Sequence, residues 1–240
     1  SCIKRNYSVF RKHLPDVEIY YAMKSNSHPE VIKTLESMGS KFEIASLGEL
    51  KLLLSLNISS EKVIFSNPVK IPSHIRESYS LGIKDFSFDS AQELDKIAES
   101  APQSNVYLRM KVPDKESLFP LSTKFGAEPS HAASLFEIAK ELGLNPCGIA
   151  FHVGSQSQNT SSWREGLTMA RRTIDSLSLH GYNIKTVNIG GGFPSPYPNS
   201  EMRTEELCVE ISSILKILDF NDVRILAEPG RAISGSAGAI

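Results

Sequence analysis

Short apolar runs, rich in β-branched and aromatic residues, alternate along the chain with longer segments whose apolar residues return every three or four positions. The first pattern is that of buried strands, the second that of helices with one apolar face. Strands are predicted at 17–22, 41–44, 63–66, 85–88, 106–110, 148–152, 186–189 and 224–227. Helices are predicted at 29–38, 47–56, 71–81, 91–100, 132–142, 162–180 and 201–218. Local chemistry marks several boundaries. Ser46 precedes Glu49, and Ser90 precedes Glu93, at the Ser-x-x-Glu spacing of a capping box. Gly39, Gly82, Gly143 and Gly181 fall just past predicted helices, where a glycine can take positive φ. Repeated strand–helix alternation predicts an α/β fold with right-handed crossovers, and eight repeats favour a closed (β/α)8 TIM barrel over an open sheet. The longest connection, 111–129, follows the fifth strand, and long loops in compact domains are often functional.

Composition narrows the partners. The chain has 240 residues, enough for one such barrel, and a net charge of -1. That balance suggests neither a nucleic-acid nor an anionic-membrane partner, and points to a small molecule. No apolar run is long enough to span a bilayer. Cys2, Cys147 and Cys208 are far apart and lack metal-ligand spacing, so reduced thiols in a cytoplasmic protein are expected. The start, with no initiator Met and no signal-peptide pattern, and the small apolar residues of the end suggest a piece of a longer protein.

In a barrel, the residues just after each strand gather on one face and form the active site. After the first strand comes Lys24, in Tyr20-Tyr21-Ala22-Met23-Lys24-Ser25-Asn26-Ser27. A lysine at a buried strand end is expected to be desolvated, with a lowered pKa suited to attack on a carbonyl; a lysine snorkelling from a strand end is the plainer alternative. The second strand carries Glu43, with Glu49 beyond it, the fifth gives Arg109, and the sixth gives His152 and Ser155. The seventh gives Gly190-Gly191-Gly192, and the eighth Glu228-Pro229-Gly230-Arg231. A triple glycine bares backbone N–H groups for an anion, and phosphate sites in barrels are frequently built from the last two loops. Arg231 in the adjacent loop suits phosphate and strengthens that reading over a merely flexible turn. A lone histidine is more often packed than catalytic, and Glu228 could instead pair with Arg231. Taken together, a lysine, a phosphate cradle, a flat imidazole and a carboxylate match the needs of pyridoxal 5′-phosphate. A metal site has no recognisable ligand pattern.

Five stretches in order carry a resemblance: Tyr21–Asn26, Phe42–Ser46, Phe151–Gln156, Gly190–Pro194 and Glu228–Arg231. Together they are similar to the fold-type III pyridoxal-phosphate decarboxylases of ornithine, diaminopimelate and arginine, whose barrel is the alanine-racemase-like N-terminal domain. The resemblance implies that Lys24 holds the cofactor through an imine and that His152 stacks on its ring. It implies that Ser155, the Gly190-Gly191-Gly192 loop, Gly230 and Arg231 take the phosphate, and that Glu228 pairs with the ring nitrogen. Glu43, where many relatives carry Asp, and Glu49 would line the site near the lysine, and Arg109 matches an arginine after the fifth strand. Asn188 is Asp in many relatives and is expected to lie outside the site. The family also has a C-terminal β domain, absent from residues 1–240, which completes the site across a homodimer interface. The chain alone is therefore expected to be inactive. The reading favours ornithine as substrate, a step of polyamine biosynthesis, with diaminopimelate as the alternative. A non-catalytic relative and an alanine-racemase-like protein are further alternatives; the latter class places Arg where Glu228 would meet the ring.

Overall fold

A computed structural model of the chain describes residues 1–195 and 203–237. Eight strands close a parallel barrel: β1 (Val17–Ala22), β2 (Lys41–Ile44), β3 (Val63–Phe65), β4 (Asp85–Phe88), β5 (Asn105–Arg109), β7 (Asn145–Ala150), β9 (Thr186–Asn188) and β10 (Arg224–Ala227). Each predicted strand is present: β1, β2, β4 and β10 have the predicted ends, and in the other four an end moves by one to three residues. The connecting helices are α2 (Pro29–Ser37), α3 (Leu47–Ser55), α4 (Pro72–Ser80), α5 (Ala91–Ser100), α6 (Ala132–Glu141), α7 (Ser161–Leu179) and α8 (Thr204–Ile217). The predicted start of the last, at Glu201, lies outside the described residues.

Three features were not expected. A helix α1 (Cys2–His13) precedes the barrel, burying Ile3, Tyr7 and Phe10 along one face. A short helix α9 (Arg231–Ser234) follows β10. Two further strands, β6 (Ser117–Phe119) and β8 (Ser155–Ser157), pair antiparallel above the barrel. They join the long loop after β5 to the loop after β7.

The glycines at 39, 82, 143 and 181 all take positive φ, between 74° and 100°. The capping boxes form only in part. Ser46 and Ser90 accept from the Glu49 and Glu93 backbone N–H groups, both at 3.3 Å. The Glu49 carboxylate reaches the Ala45 N–H at 2.6 Å. Glu93 turns inward instead, 2.8 Å from the fully buried Lys70 ammonium, which is the stronger claim on a carboxylate.

Alternation along the strands divides the apolar residues into two sets. Val17, Ile19 and Tyr21 face the helices and join the main core, whereas Tyr20 packs with Ile64 and Leu226 inside the barrel. Below them, Glu18 on β1 accepts two hydrogen bonds from Arg224 on β10, at 2.7 and 2.8 Å, and one from Lys41 on β2 at 2.5 Å. These partners, Arg224 foremost, hold the Glu18 carboxyl down at about 2. Above the apolar layer, the opposite strand ends carry the polar groups of the site. Among the described residues, no helix is long and apolar enough to cross a membrane.

Candidate functional site

A cleft of ≈ 670 Å³ opens at the C-terminal ends of the barrel strands. Lys24, His152, Ser155, Gly191, Gly192, Glu228, Gly230 and Arg231 all line it. Eight residues singled out in the sequence thus converge on one space. Glu43 stands behind Lys24, and Arg109 faces a crevice of ≈ 30 Å³ shared with Lys24, His152 and Glu228. Gly190 backs onto the Phe151 carbonyl. Glu49 is spent on the start of α3 rather than on the cleft.

The ionisation expected of Lys24 is corrected. β1 ends at Ala22, and a 3-10 turn over Met23–Ser25 swings the lysine out of the strand into the cleft, its side chain 54% exposed. Ala22 pairs with Glu43 in the β1–β2 register, so the Glu43 carboxylate, 1% exposed, lies 3.3 Å from Lys24 Nζ. That negative charge outweighs burial, and Glu228 adds to it, so the lysine pKa is raised rather than lowered. In the cofactor-free chain Lys24 is an ammonium.

Glu228 is buried at the floor of the cleft. Its Oε1 accepts from Asn188 Nδ2 at 2.6 Å, and Asn188 Oδ1 in turn accepts the Gly190 N–H at 2.9 Å. Asn188, set aside on the sequence, therefore orients both the carboxylate and the first glycine of the loop. The signal for it was its place two residues before the glycines, on a strand neighbouring that of Glu228. Burial pushes the Glu228 carboxyl up to about 7, and the nearby Glu43 charge pushes the same way. His152 Nδ1 accepts the Gly154 N–H at 3.0 Å, which fixes the proton of the neutral ring on Nε2. Burial, with the Arg109 and Lys24 cations, holds its pKa well below the usual histidine range. Neutral and flat, the ring stands against Gly191, where a Cβ would come within 3.1 Å of Nε2.

The glycines make room that no other residue leaves. Gly192 has φ +105°, and a Cβ there would lie 2.4 Å from the Gly154 carbonyl oxygen. A Cβ at Gly230 would lie 2.9 Å from the Ser25 Cβ. The Arg231 guanidinium reaches the same rim, its Cζ 5.7 Å from the centre of the Phe119 ring on β6. Gly192→Ala combines backbone strain of about 1–3 kcal/mol with that clash. It is expected to weaken pyridoxal phosphate binding at least about tenfold in an absorbance titration, and unchanged affinity would remove this loop from the cradle.

A closed parallel barrel with an amine after its first strand, a buried carboxyl after its last and bare backbone between them defines a site for an aldehyde cofactor carrying an anionic group. Over residues 1–235 the sequence matches the family "Pyridoxal-dependent decarboxylase, pyridoxal binding domain", and the chain belongs to that family. Its cofactor is pyridoxal 5′-phosphate. The residues present fit that group: a reachable amine, a glycine-bared cradle and a buried carboxyl at one cleft.

The chain is 37% identical to a lysine/ornithine decarboxylase of Selenomonas ruminantium over 98% of its length and 60% of that protein's. It is 35% identical to antizyme inhibitor 2 of Xenopus laevis, again over 98% of this chain but 52% of the other. Among solved structures, a lysine/ornithine decarboxylase from Vibrio vulnificus complexed with cadaverine superposes with a TM-score of 0.88 at 32% identity, covering 97% of this chain and 61% of that one. The chain thus spans between about half and three-fifths of the proteins it resembles.

Proposed function

We propose that the protein carrying this chain removes the α-carboxylate of a basic amino acid, ornithine first and lysine beside it, releasing a diamine. The observation that carries the reading is Glu228. A carboxyl buried at the floor of the cleft and fixed by Asn188 suits a partner for a protonated ring nitrogen. Bound there, the cofactor supplies an electron-accepting ring for the charge that CO2 leaves at Cα. Lys24 would carry the cofactor and yield it to the substrate amine, with Glu43 beside its Nζ to hold or take a proton. His152, neutral because of its buried position, would offer the ring a flat face without a competing charge. Ser155, the Gly190-Gly191-Gly192 loop, Gly230 and Arg231 would hold the phosphate, and Arg109 would lend positive charge beside Glu228.

The substrate's distal amine needs an acidic partner and Cα needs a proton donor. A second domain, in a homodimer with the site at the subunit interface, would supply both. The relatives' greater length supports this. The free Cys2, Cys147 and Cys208 support a reducing, cytoplasmic setting, which cell fractionation checks. The likeness to antizyme inhibitor 2 supports a second reading, a binding protein without turnover.

One assay separates these readings: CO2 release from ornithine, lysine and diaminopimelate at saturating pyridoxal phosphate. The intact protein is expected to turn over ornithine or lysine and the 240-residue chain to be slower by about a thousandfold or more, since orientation and proton transfer are missing. No turnover by the intact protein would favour the binding reading, turnover of diaminopimelate alone would overturn the substrate, and equal rates would make a second domain dispensable.

A further inference from the structure

Gln156 is a long polar residue in a backbone conformation that suits glycine: its φ is +57°, and it is 1% exposed. Its amide meets the Ser195 backbone twice. Oε1 accepts the Ser195 N–H at 2.7 Å, and Nε2 donates to the Ser195 carbonyl at 3.2 Å. Ser195 lies three residues past Gly192, and Gln156 directly follows Ser155. The side chain therefore ties the β8 loop to the glycine loop. A third loop meets them there, for a Cβ on Gly235, just past α9, would lie 2.5 Å from Ser195 Oγ. The three loops that bear Ser155, Gly192 and Arg231 thus share one junction, and Gln156 lines the cleft beside it.

We infer that Gln156 is a positioning residue that sets the spacing of the phosphate-binding loops, its amide acting as a two-point clamp on the Ser195 backbone. The side-chain amide of Gln156 both accepts from an N–H and donates to a carbonyl here, without depending on pH. A carboxylate keeps the acceptor and loses the donor, setting a negative charge against the Ser195 carbonyl. Protonation restores the donor. No other acid or base is needed for that contrast: Lys24, His152, Glu228 and Arg231 line the same cleft and Glu43 stands beside Lys24, but all are present in wild type and variant alike and cancel in the ratio of the two.

The inference rests on the placing of the phosphate at these loops. The test is the ratio of pyridoxal phosphate Kd, variant over wild type, measured in the intact protein across pH. For Gln156→Glu the ratio is expected near tenfold at about pH 8.5 and within about twofold of unity at about pH 5.5, because a buried carboxyl holds its proton to higher pH than a free one. Gln156→Gly, which suits the left-handed backbone but has no clamp, is expected to weaken binding about tenfold at both pH values. A pH-independent ratio for the first variant, or wild-type affinity in the second, overturns the inference. Inorganic phosphate should compete with the cofactor in wild type. Competition with a flat ratio overturns the clamp alone, whereas no competition overturns the phosphate placement and the clamp with it.

Discussion

Lys24→Ala is expected to lower kcat of the intact protein by about three to four powers of ten, and to abolish borohydride-dependent attachment of pyridoxal phosphate to the chain. The size follows from what one amine does here. It must carry the cofactor, release it to substrate and recover it at the end of each turnover. No other described lysine shares the cleft with the glycine loop. Lys70 is fully buried against Glu93 at 2.8 Å and cannot substitute. Because Glu43 keeps the free lysine protonated, the attachment rate should rise with pH as the neutral amine becomes available. Reduction followed by peptide mapping should place the label on Lys24. A label elsewhere, or turnover within tenfold of wild type, would sink the assignment.

Glu228→Gln is the second large effect. The amide oxygen can still accept the Asn188 hydrogen bond, so the cleft should keep its shape and bind the cofactor. The charge that would hold a proton on the ring nitrogen is gone, however, and kcat should fall about 10²–10³-fold, the size seen when one charge-stabilising group is lost. Stability gives an independent readout. The folded carboxyl titrates at about 7 against an ordinary value of 4.5, so the folded state binds the extra proton between those values. Stability from this group therefore falls as pH rises from 4.5 to 7, by on the order of 3 kcal/mol above that window. Glutamine has nothing to titrate. Cofactor-free Glu228→Gln should melt above wild type at about pH 8 and level with it at about pH 4.5. A difference in melting temperature that does not change with pH would remove the buried charge from the account.

How much of this was legible in the sequence depends on the range of the interaction. The barrel strands are short buried runs and announce themselves locally, and the C′ glycines do the same for helix ends. Helix α1 was also legible, since Ile3, Tyr7 and Phe10 keep a helical spacing. The β6–β8 pair was not, because Ser117 and Ser157 meet only after two separate loops fold over the barrel. The charge state of Lys24 was out of reach for the same reason. Nothing near it in sequence raises its pKa; strand register brings Glu43 alongside. Residue identities named the parts of the site, and the protonation of those parts required the pairing of strands.

The Glu18–Arg224 bond has a consequence for how the molecule forms. It joins the first and last barrel strands, whose bonded residues are 206 apart in sequence. Closing so long a loop carries an entropic cost that local contacts cannot offset, and such topologies fold slowly. During synthesis, β1 has β2 for a neighbour early, but its other edge stays bare until β10 has left the ribosome. Until residues 224–227 are made, the nascent chain is an open sheet with an unpaired edge at Val17–Ile19, the kind of edge that recruits foreign strands. The ion pair at the foot of the barrel latches a seam that only the last strand of the barrel can close.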